Sequence, residues 1–221
     1  PMADFKLAEV YSLIHKLQPQ ALIGSNHHLA PNPGEDFQMF EKDLPGRSTK
    51  SFATSADDIG NLPLEVCETI NGSWGFNLKD RKHKSKKELV QYLIKAAGYD
   101  SNLLLNVGPM PNGKIQEEHI KSLKEIGDWI KVNGETIYGT IRGPIDPTDE
   151  IASTQKDNTI YIHLLDNRKT YFIEGYNPKI KKISYYHSNK KVKYQKTKSG
   201  LIINVDDNEL DEIDTIIELE I

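Results

Sequence analysis

The chain has 221 residues, 37% of them hydrophobic and 27% charged, and a net charge of −4. Such a composition buries a core and argues against disorder, while the acidic balance argues against nucleic acid, whose phosphates call for a strongly basic face. Cys67 is the one cysteine, which excludes an intrachain disulfide, and no apolar run reaches the roughly 18 residues that span a bilayer. Neither nucleic acid nor a membrane is therefore expected as a partner.

The opening Pro1-Met2-Ala3-Asp4 carries neither the basic nor the apolar part of a secretory leader. Leu7, Val10, Tyr11, Leu13, Ile14 and Leu17 then recur at helical spacing and stop before Pro19, predicting a helix. Ala21-Leu22-Ile23-Gly24-Ser25 predicts a strand of the continuously apolar kind found in parallel sheets covered on both faces. Asn26 to Asn61 is rich in Pro, Gly, Asp and Ser and reads as an irregular stretch; loops of that length are usually functional or disordered.

Leu64 to Ile70 predicts a second strand. Ser85, with Glu88 three residues on, forms a capping-box signature for a helix that runs to Gly98. Asn102 to Val107 predicts a third strand, and Ile115 to Val132 an amphipathic helix closed by Asn133-Gly134. Strand, loop and helix thus recur in the rhythm of an α/β barrel or open sheet.

Beyond Gly143 the texture changes. Short β-rich runs appear at Thr159–Leu165, Thr170–Glu174, Lys181–Tyr186, Lys191–Gln195, Leu201–Val205 and Thr215–Ile221, separated by Asn-, Asp- and Gly-containing turns. They predict a small antiparallel sandwich. Two prolines within Pro144–Thr148 mark the boundary, dividing the chain into residues 1–143 and 144–221. Asp206-Asp207-Asn208-Glu209 lacks the Gly and the terminal Glu of a calcium loop and reads as a polar turn.

Candidate chemistry gathers near strand ends. Period-2 alternation places Glu65 and Cys67 on one face of their strand, Val66 and Glu68 on the other. Glu65 and Glu68 are then either site carboxylates or one buried, hydrogen-bonded acid and one solvated acid. Trp74, in the Ser73-Trp74-Gly75-Phe76 loop, is a core aromatic or a stacking platform for a sugar. Asn26-His27-His28 follows the first strand directly, and without further ligands at metal spacing these residues suit polar substrate contacts better than a metal. Glu35, Asp36 and Glu41 add three acids to the irregular stretch, as site groups or as solvated ones.

Three stretches in order carry a likeness to a known family: Glu65-Val66-Cys67-Glu68-Thr69-Ile70-Asn71-Gly72-Ser73-Trp74-Gly75-Phe76; Asn102-Leu103-Leu104-Leu105-Asn106-Val107-Gly108-Pro109 with Asn112-Gly113; and Ile126-Gly127-Asp128-Trp129 with Asn133 through Thr140. With them the chain resembles glycoside hydrolase family 29, the α-L-fucosidases. The resemblance implies an α/β fold: the C-terminal half of a (β/α) barrel followed by a small antiparallel β-sandwich. It implies retaining hydrolysis of terminal α-linked L-fucose on a fucosylated glycan, without a cofactor, in a periplasmic or extracellular setting. Retention needs two carboxyl groups. The family's nucleophile is an Asp in a Trp-x-Asp context that has no counterpart in this chain, so the N-terminal half of the barrel is expected as the missing partner. For the acid/base the resemblance implies Glu65 or Glu41. Glu65 is preferred, because a strand-end carboxylate flanked by Leu64, Val66 and Trp74 is the kind that desolvation keeps protonated for donation, and Glu41 is the alternative. Trp74, Asn26, His27 and His28 are implied as sugar contacts. A non-catalytic carbohydrate-binding or barrel-completing piece is the second reading.

Overall fold

The computed structural model describes residues 5–46 and 59–221. Pro1–Asp4 and residues 47–58 of the stretch read as irregular lie outside the described residues. The chain forms two compact units, one running up to Thr69 and including Ser101–Asn106, the other made of Ile70–Asp100 and Val107–Ile221.

The first unit holds helix α1 (Leu7–Leu17) and strands β1 (Gly24–Ser25), β2 (Phe37–Glu41), β3 (Leu64–Thr69) and β4 (Ser101–Asn106). The strands lie side by side in chain order, all parallel. The strand predicted over Ala21–Ser25 is only two residues long. Ile23 donates its amide to the Asp36 carboxylate at 2.7 Å and not to a neighbouring strand. Gly24 lies against the Phe37 ring, where a Cβ would come within 2.3 Å of it.

Strand β2 falls inside the stretch read as irregular. Its covered face carries Gln38 beside Phe40, both buried, and a buried glutamine breaks the apolar alternation by which strands are recognised. The Gln38 amide is satisfied by the Leu29 carbonyl at 2.8 Å and the Gly60 amide at 3.0 Å, so it fastens two loops to the strand. On α1 only Tyr11 of the predicted apolar stripe is buried; Leu7, Val10, Leu13 and Leu17 remain exposed.

The second unit begins after β3. Helix α2 (Lys86–Gly98) starts on the predicted capping box, the Ser85 hydroxyl accepting the Glu88 amide at 3.2 Å and the Glu88 carboxylate accepting the Ser85 amide at 2.7 Å. Helix α3 (Glu117–Asn133) follows. Gly134 does not close it in a left-handed turn. Its φ is −59°, and the chain tightens into a 3-10 turn through Thr136. The Tyr138 amide bonds the Gly134 carbonyl at 2.7 Å and the Thr136 hydroxyl bonds the Asn133 carbonyl at 2.8 Å, so the terminal carbonyls are satisfied without a left-handed residue.

Eight strands complete this unit: β5 (Ile141–Arg142), β6 (Ile151–Lys156), β7 (Thr159–Leu164), β8 (Thr170–Glu174), β9 (Lys182–Tyr185), β10 (Lys193–Lys196), β11 (Gly200–Asn204) and β12 (Thr215–Glu220). They make an antiparallel sheet in the order β5-β6-β7-β12-β9 and a second in the order β10-β11-β8. Ile160, Ile162 and Leu164 of one sheet and Tyr171, Leu201 and Ile203 of the other belong to one buried cluster, the core of a sandwich. Strand β6 escaped prediction because its buried residues, Ala152, Ser153 and Thr154, are small or polar.

The Gly143–Thr148 segment is pinned to this sandwich. Ser153 exchanges hydrogen bonds with the Ile145 backbone at 2.8 and 2.9 Å, and a Cβ at Gly143 would meet the Ser153 hydroxyl at 2.3 Å. Deeper in, His163 Nδ1 meets Asp214 Oδ2 at 2.8 Å with both side chains fully buried. Burial pushes the Asp214 carboxyl above its ordinary value, and His163 pulls against it. Asp206 to Glu209 forms the expected polar turn, Asp206 accepting the Asn208 amide at 3.0 Å.

Candidate active site

Parallel pairing aligns Met39 with Glu65 and Asn102, and Glu41 with Cys67 and Leu104. Side chains alternate along each strand, so these residues share one face. The opposite face carries Gln38, Phe40, Val66 and Glu68, all buried. The face with the two carboxylates is the open one: Glu41 and Glu65 are half-buried and Leu104 is 47% exposed. Cys67 lies between them. Its thiol is pushed up first by burial and then by the charges of Glu41 and Glu65, so both acids act on the same sulfur.

The two acids differ in height along the sheet. Glu41 ends β2, whereas Glu65 is the second residue of β3. Asn26, immediately after β1, donates from Nδ2 to Glu41 Oε2 at 2.6 Å. His28, with a left-handed φ of 57°, accepts the Glu41 amide on Nε2 at 3.0 Å and packs edge-on to Phe40. Burial holds the His28 imidazole below its ordinary value, against the pull of Asp43 and Glu41. A ring nitrogen that accepts an amide proton is unprotonated, so His28 serves as a neutral clamp on the end of β2.

His27 turns to a different task. Its Nδ1 accepts the Leu29 amide at 3.1 Å, and its Nε2 stands 3.1 Å from the Glu35 carboxylate. Glu35 is buried and also accepts the Tyr11 hydroxyl at 3.2 Å and the Asn32 amide at 2.8 Å. Burial raises its carboxyl, but Asn32 and His27 outweigh that and hold it below the usual range. Asp36 is held low by the Ile23 amide and by His15, 2.8 Å away. Neither acid is merely solvated. The signal for Glu35 lay in the Asn32-Pro33-Gly34-Glu35 turn, whose spacing returns the glutamate to the Asn32 amide.

Glu68 is the buried, hydrogen-bonded acid of its strand, accepting the Thr69 amide at 2.7 Å. Thus Asn26 meets the Glu41 carboxylate, Glu65 shares the Glu41 face, His28 holds the Glu41 backbone amide while packing on Phe40, and His27 joins the Glu35 network. Trp74 belongs to the second unit and is 37% exposed. Its loop is braced by the Ser73 hydroxyl on Asp80 at 2.8 Å and by Gly108, where a Cβ would stand 2.5 Å from the Gly75 carbonyl carbon. Among the described residues no three His, Cys, Asp or Glu side chains gather as a metal site, and no helix is long and apolar enough to cross a membrane.

A half-open parallel sheet with two carboxylates on its open face suits general acid–base chemistry on a polar substrate. The α-L-fucosidase family model matches residues 2–135, more than half of the chain. The chain belongs to the α-L-fucosidase family of glycoside hydrolases. An α-L-fucosidase of Branchiostoma floridae is 32% identical over 193 residues, covering 74% of this chain and 43% of that protein. The plasma α-L-fucosidase of Homo sapiens is 30% identical over 161 residues, covering 61% of this chain and 34% of its own length. Among solved structures, α-L-fucosidase isoenzyme 1 from Paenibacillus thiaminolyticus superimposes with a TM-score of 0.77 at 30% identity, over 97% of this chain and 53% of that one. The Thermotoga maritima α-fucosidase, at 23% identity and a TM-score of 0.74, shares the fold. The chain spans between a third and a half of the length of the curated relatives it matches over 161 or more residues.

Proposed function

We propose that this chain forms the acid/base side of a retaining exo-α-L-fucosidase that releases terminal α-linked L-fucose from glycans. On this reading residues 1–143 are the C-terminal half of a (β/α) barrel and residues 144–221 its appended sandwich. An N-terminal half supplies the nucleophile and closes the sheet. The relatives' greater length supports this, as does the apolar surface that the first unit leaves open. Leu22 is 75% exposed and Leu17 70%, and a parallel sheet ordinarily has both faces covered.

The observation that carries the reading is the Asn26–Glu41 pair at the C-terminal end of β2. Function in barrels collects at the C-terminal ends of strands, and that position favours Glu41 over Glu65 as the acid/base, although the motif around Glu65 is the stronger resemblance. Glu41 would protonate the departing glycosidic oxygen while the nucleophile of the other half attacks the anomeric carbon, and would then deprotonate the water that releases fucose. Asn26, bonded to one carboxylate oxygen, would aim the other. Trp74 would line the apolar corner made by the fucose methyl group.

The test compares Glu41→Ala and Glu65→Ala in the enzyme completed by its other half. The acid/base variant is expected to lose activity on natural glycans by far more than on aryl fucosides, because an activated leaving group needs no proton, and azide should partly restore it. The signature on Glu65→Ala alone would exchange the two assignments; its absence from both would end the reading. The 221-residue chain by itself is expected to show no turnover, since it lacks the attacking group. For Trp74→Ala, the fucose-over-galactose preference in kcat/KM should narrow by about ten- to a hundredfold, the scale of one methyl-sized discrimination. A folded variant with an unchanged preference would remove Trp74 from the site.

A further inference from the structure

The charge of this chain is unevenly spread. Between Gly175 and Val205 there are eight lysines and no Asp or Glu, on a chain whose net charge is −4. That segment spans β9, β10 and β11, so the sandwich presents one strongly basic edge on an acidic molecule. Some of these lysines are engaged: Lys190 pairs with Glu209 at 2.6 Å, and Lys181 donates to the Ile221 carbonyl at 2.8 Å. Lys182, Lys191 and Lys193 make no side-chain hydrogen bond or close ion pair among the described residues, although Lys193 acts on Asp206 at longer range.

Lys191 stands between two concavities. One, of about 270 Å3, is lined by Ile180, Lys181, Lys182, Asn189, Lys191 and Tyr194, with no acid on its wall. The other, of about 460 Å3, adds Lys193 and Lys169. The acids on its rim are occupied, Asp207 by Lys169 at 2.7 Å and Asp206 by the Asn208 amide at 3.0 Å. Tyr194, 37% exposed, gives the first concavity an aromatic wall beside its ammonium groups.

We propose that this edge is a binding site for an anionic saccharide, sulfated or carboxylated, separate from the fucose-hydrolysing site and independent of that assignment. A pyranose offers an apolar face to Tyr194 and Ile180 while its anionic substituents meet Lys182, Lys191 and Lys193. Concave walls suit a short saccharide better than a flat lipid surface, and the acidic remainder of the chain would repel a long nucleic acid. The competing account is edge protection. Strands β9 and β10 are sheet edges, where lysines discourage pairing with other chains. That accounts for Lys182 and Lys193 within the strands and for Lys191, which bridges Ser184 of β9; it does not account for the two concavities that meet at Lys191, nor for the aromatic wall of the first.

Charge reversal separates the accounts, because glutamate guards a sheet edge as lysine does but repels an anion. Calorimetric titration of the completed enzyme with a heparin-derived tetrasaccharide and with a galacturonate tetramer distinguishes the sulfated from the carboxylated source, and chitotetraose is the neutral control. The triple variant K182E/K191E/K193E is expected to bind the anionic tetrasaccharide at least about tenfold more weakly. Wild-type binding should weaken with added salt, as exposed charges do. The matched variant K114E/K121E/K124E, with the same change in net charge elsewhere, should stay within about twofold of wild type. Failure of the wild type to bind either acid, equal losses in both triple variants, or stronger capture by phosphatidylserine vesicles or a thymidine dodecamer would each overturn the proposal.

Discussion

The sandwich core and the sheet unit bury their apolar residues to different degrees. In the sandwich, Ile162, Leu164, Leu201, Ile203, Ile217 and Leu219 are all completely buried. In the sheet unit Phe40 and Val66 are buried to the same degree, yet Leu13, Leu17, Leu22 and Leu104 face outward. The first is a closed core. The second is held together largely by polar ties, such as Gln38 across two loops, Glu35 among Tyr11, His27 and Asn32, and Asp36 between His15 and Ile23. A unit can leave apolar surface open, but it must still satisfy its buried polar groups by itself, since those cost the most when unpaired.

The contrast is sharpest if broken at the buried His163–Asp214 contact. His163→Ala leaves the buried Asp214 carboxyl without that hydrogen-bond partner, and leaving a buried polar group unsatisfied costs about 1–3 kcal/mol, more for a charged one. Denaturant titration should show the sandwich transition lowered by that order, with Asp214→Ala in the same background restoring part of the loss. An unchanged transition would mean that the pair is not structural. A gentler probe is Ser85→Ala, which removes one half of the capping box of α2 and is expected to lower stability by about 1 kcal/mol, read as a small shift in melting temperature.

The mildest effect is one of pH and belongs to the sheet unit. His28 has a folded pKa below its unfolded value because burial disfavours its charged form. Its contribution is therefore fully present above pH ~6.5 and declines as the pH falls through the folded value. Glu35, also held low, has the same sign further down, beginning below its unfolded carboxylate range. The protection factor of the Glu41 amide, its exchange rate corrected for the intrinsic base-catalysed rate, should fall from pH 8 to pH 5 in the wild type; a protection factor that does not change with pH would show that His28 does not clamp that strand end.

Much of the fold could be read where local rules and tertiary packing agree. The capping box at Ser85, the apolar run Leu103-Leu104-Leu105 and the alternating strands of the sandwich all fall where the sequence pattern puts them. Strands β2 and β6 could not be read, because one buries a glutamine and the other buries Ser and Thr against the backbone of neighbouring turns. For the site, residue type and motif pointed to Glu41, Glu65, Asn26 and His28. What they could not supply was register: only the pairing of β2 with β3 reveals that Glu41 stands two residues nearer the strand ends than Glu65. The task of His27 was also illegible, since its partner Glu35 is defined by a turn and not by strand periodicity.

Gly108 has a consequence for how this molecule can diverge. Because a side chain there would collide with the Gly75–Phe76 backbone, the loop after β4 and the loop bearing Trp74 touch main chain to main chain. The two loops cannot drift independently. Any residue larger than glycine at position 108 must push the Trp74 loop outward, and lengthening either loop must find room away from that contact. The aromatic wall is thus set by its neighbour's lack of a side chain, and Gly108→Ala offers a way to shift Trp74 without touching it.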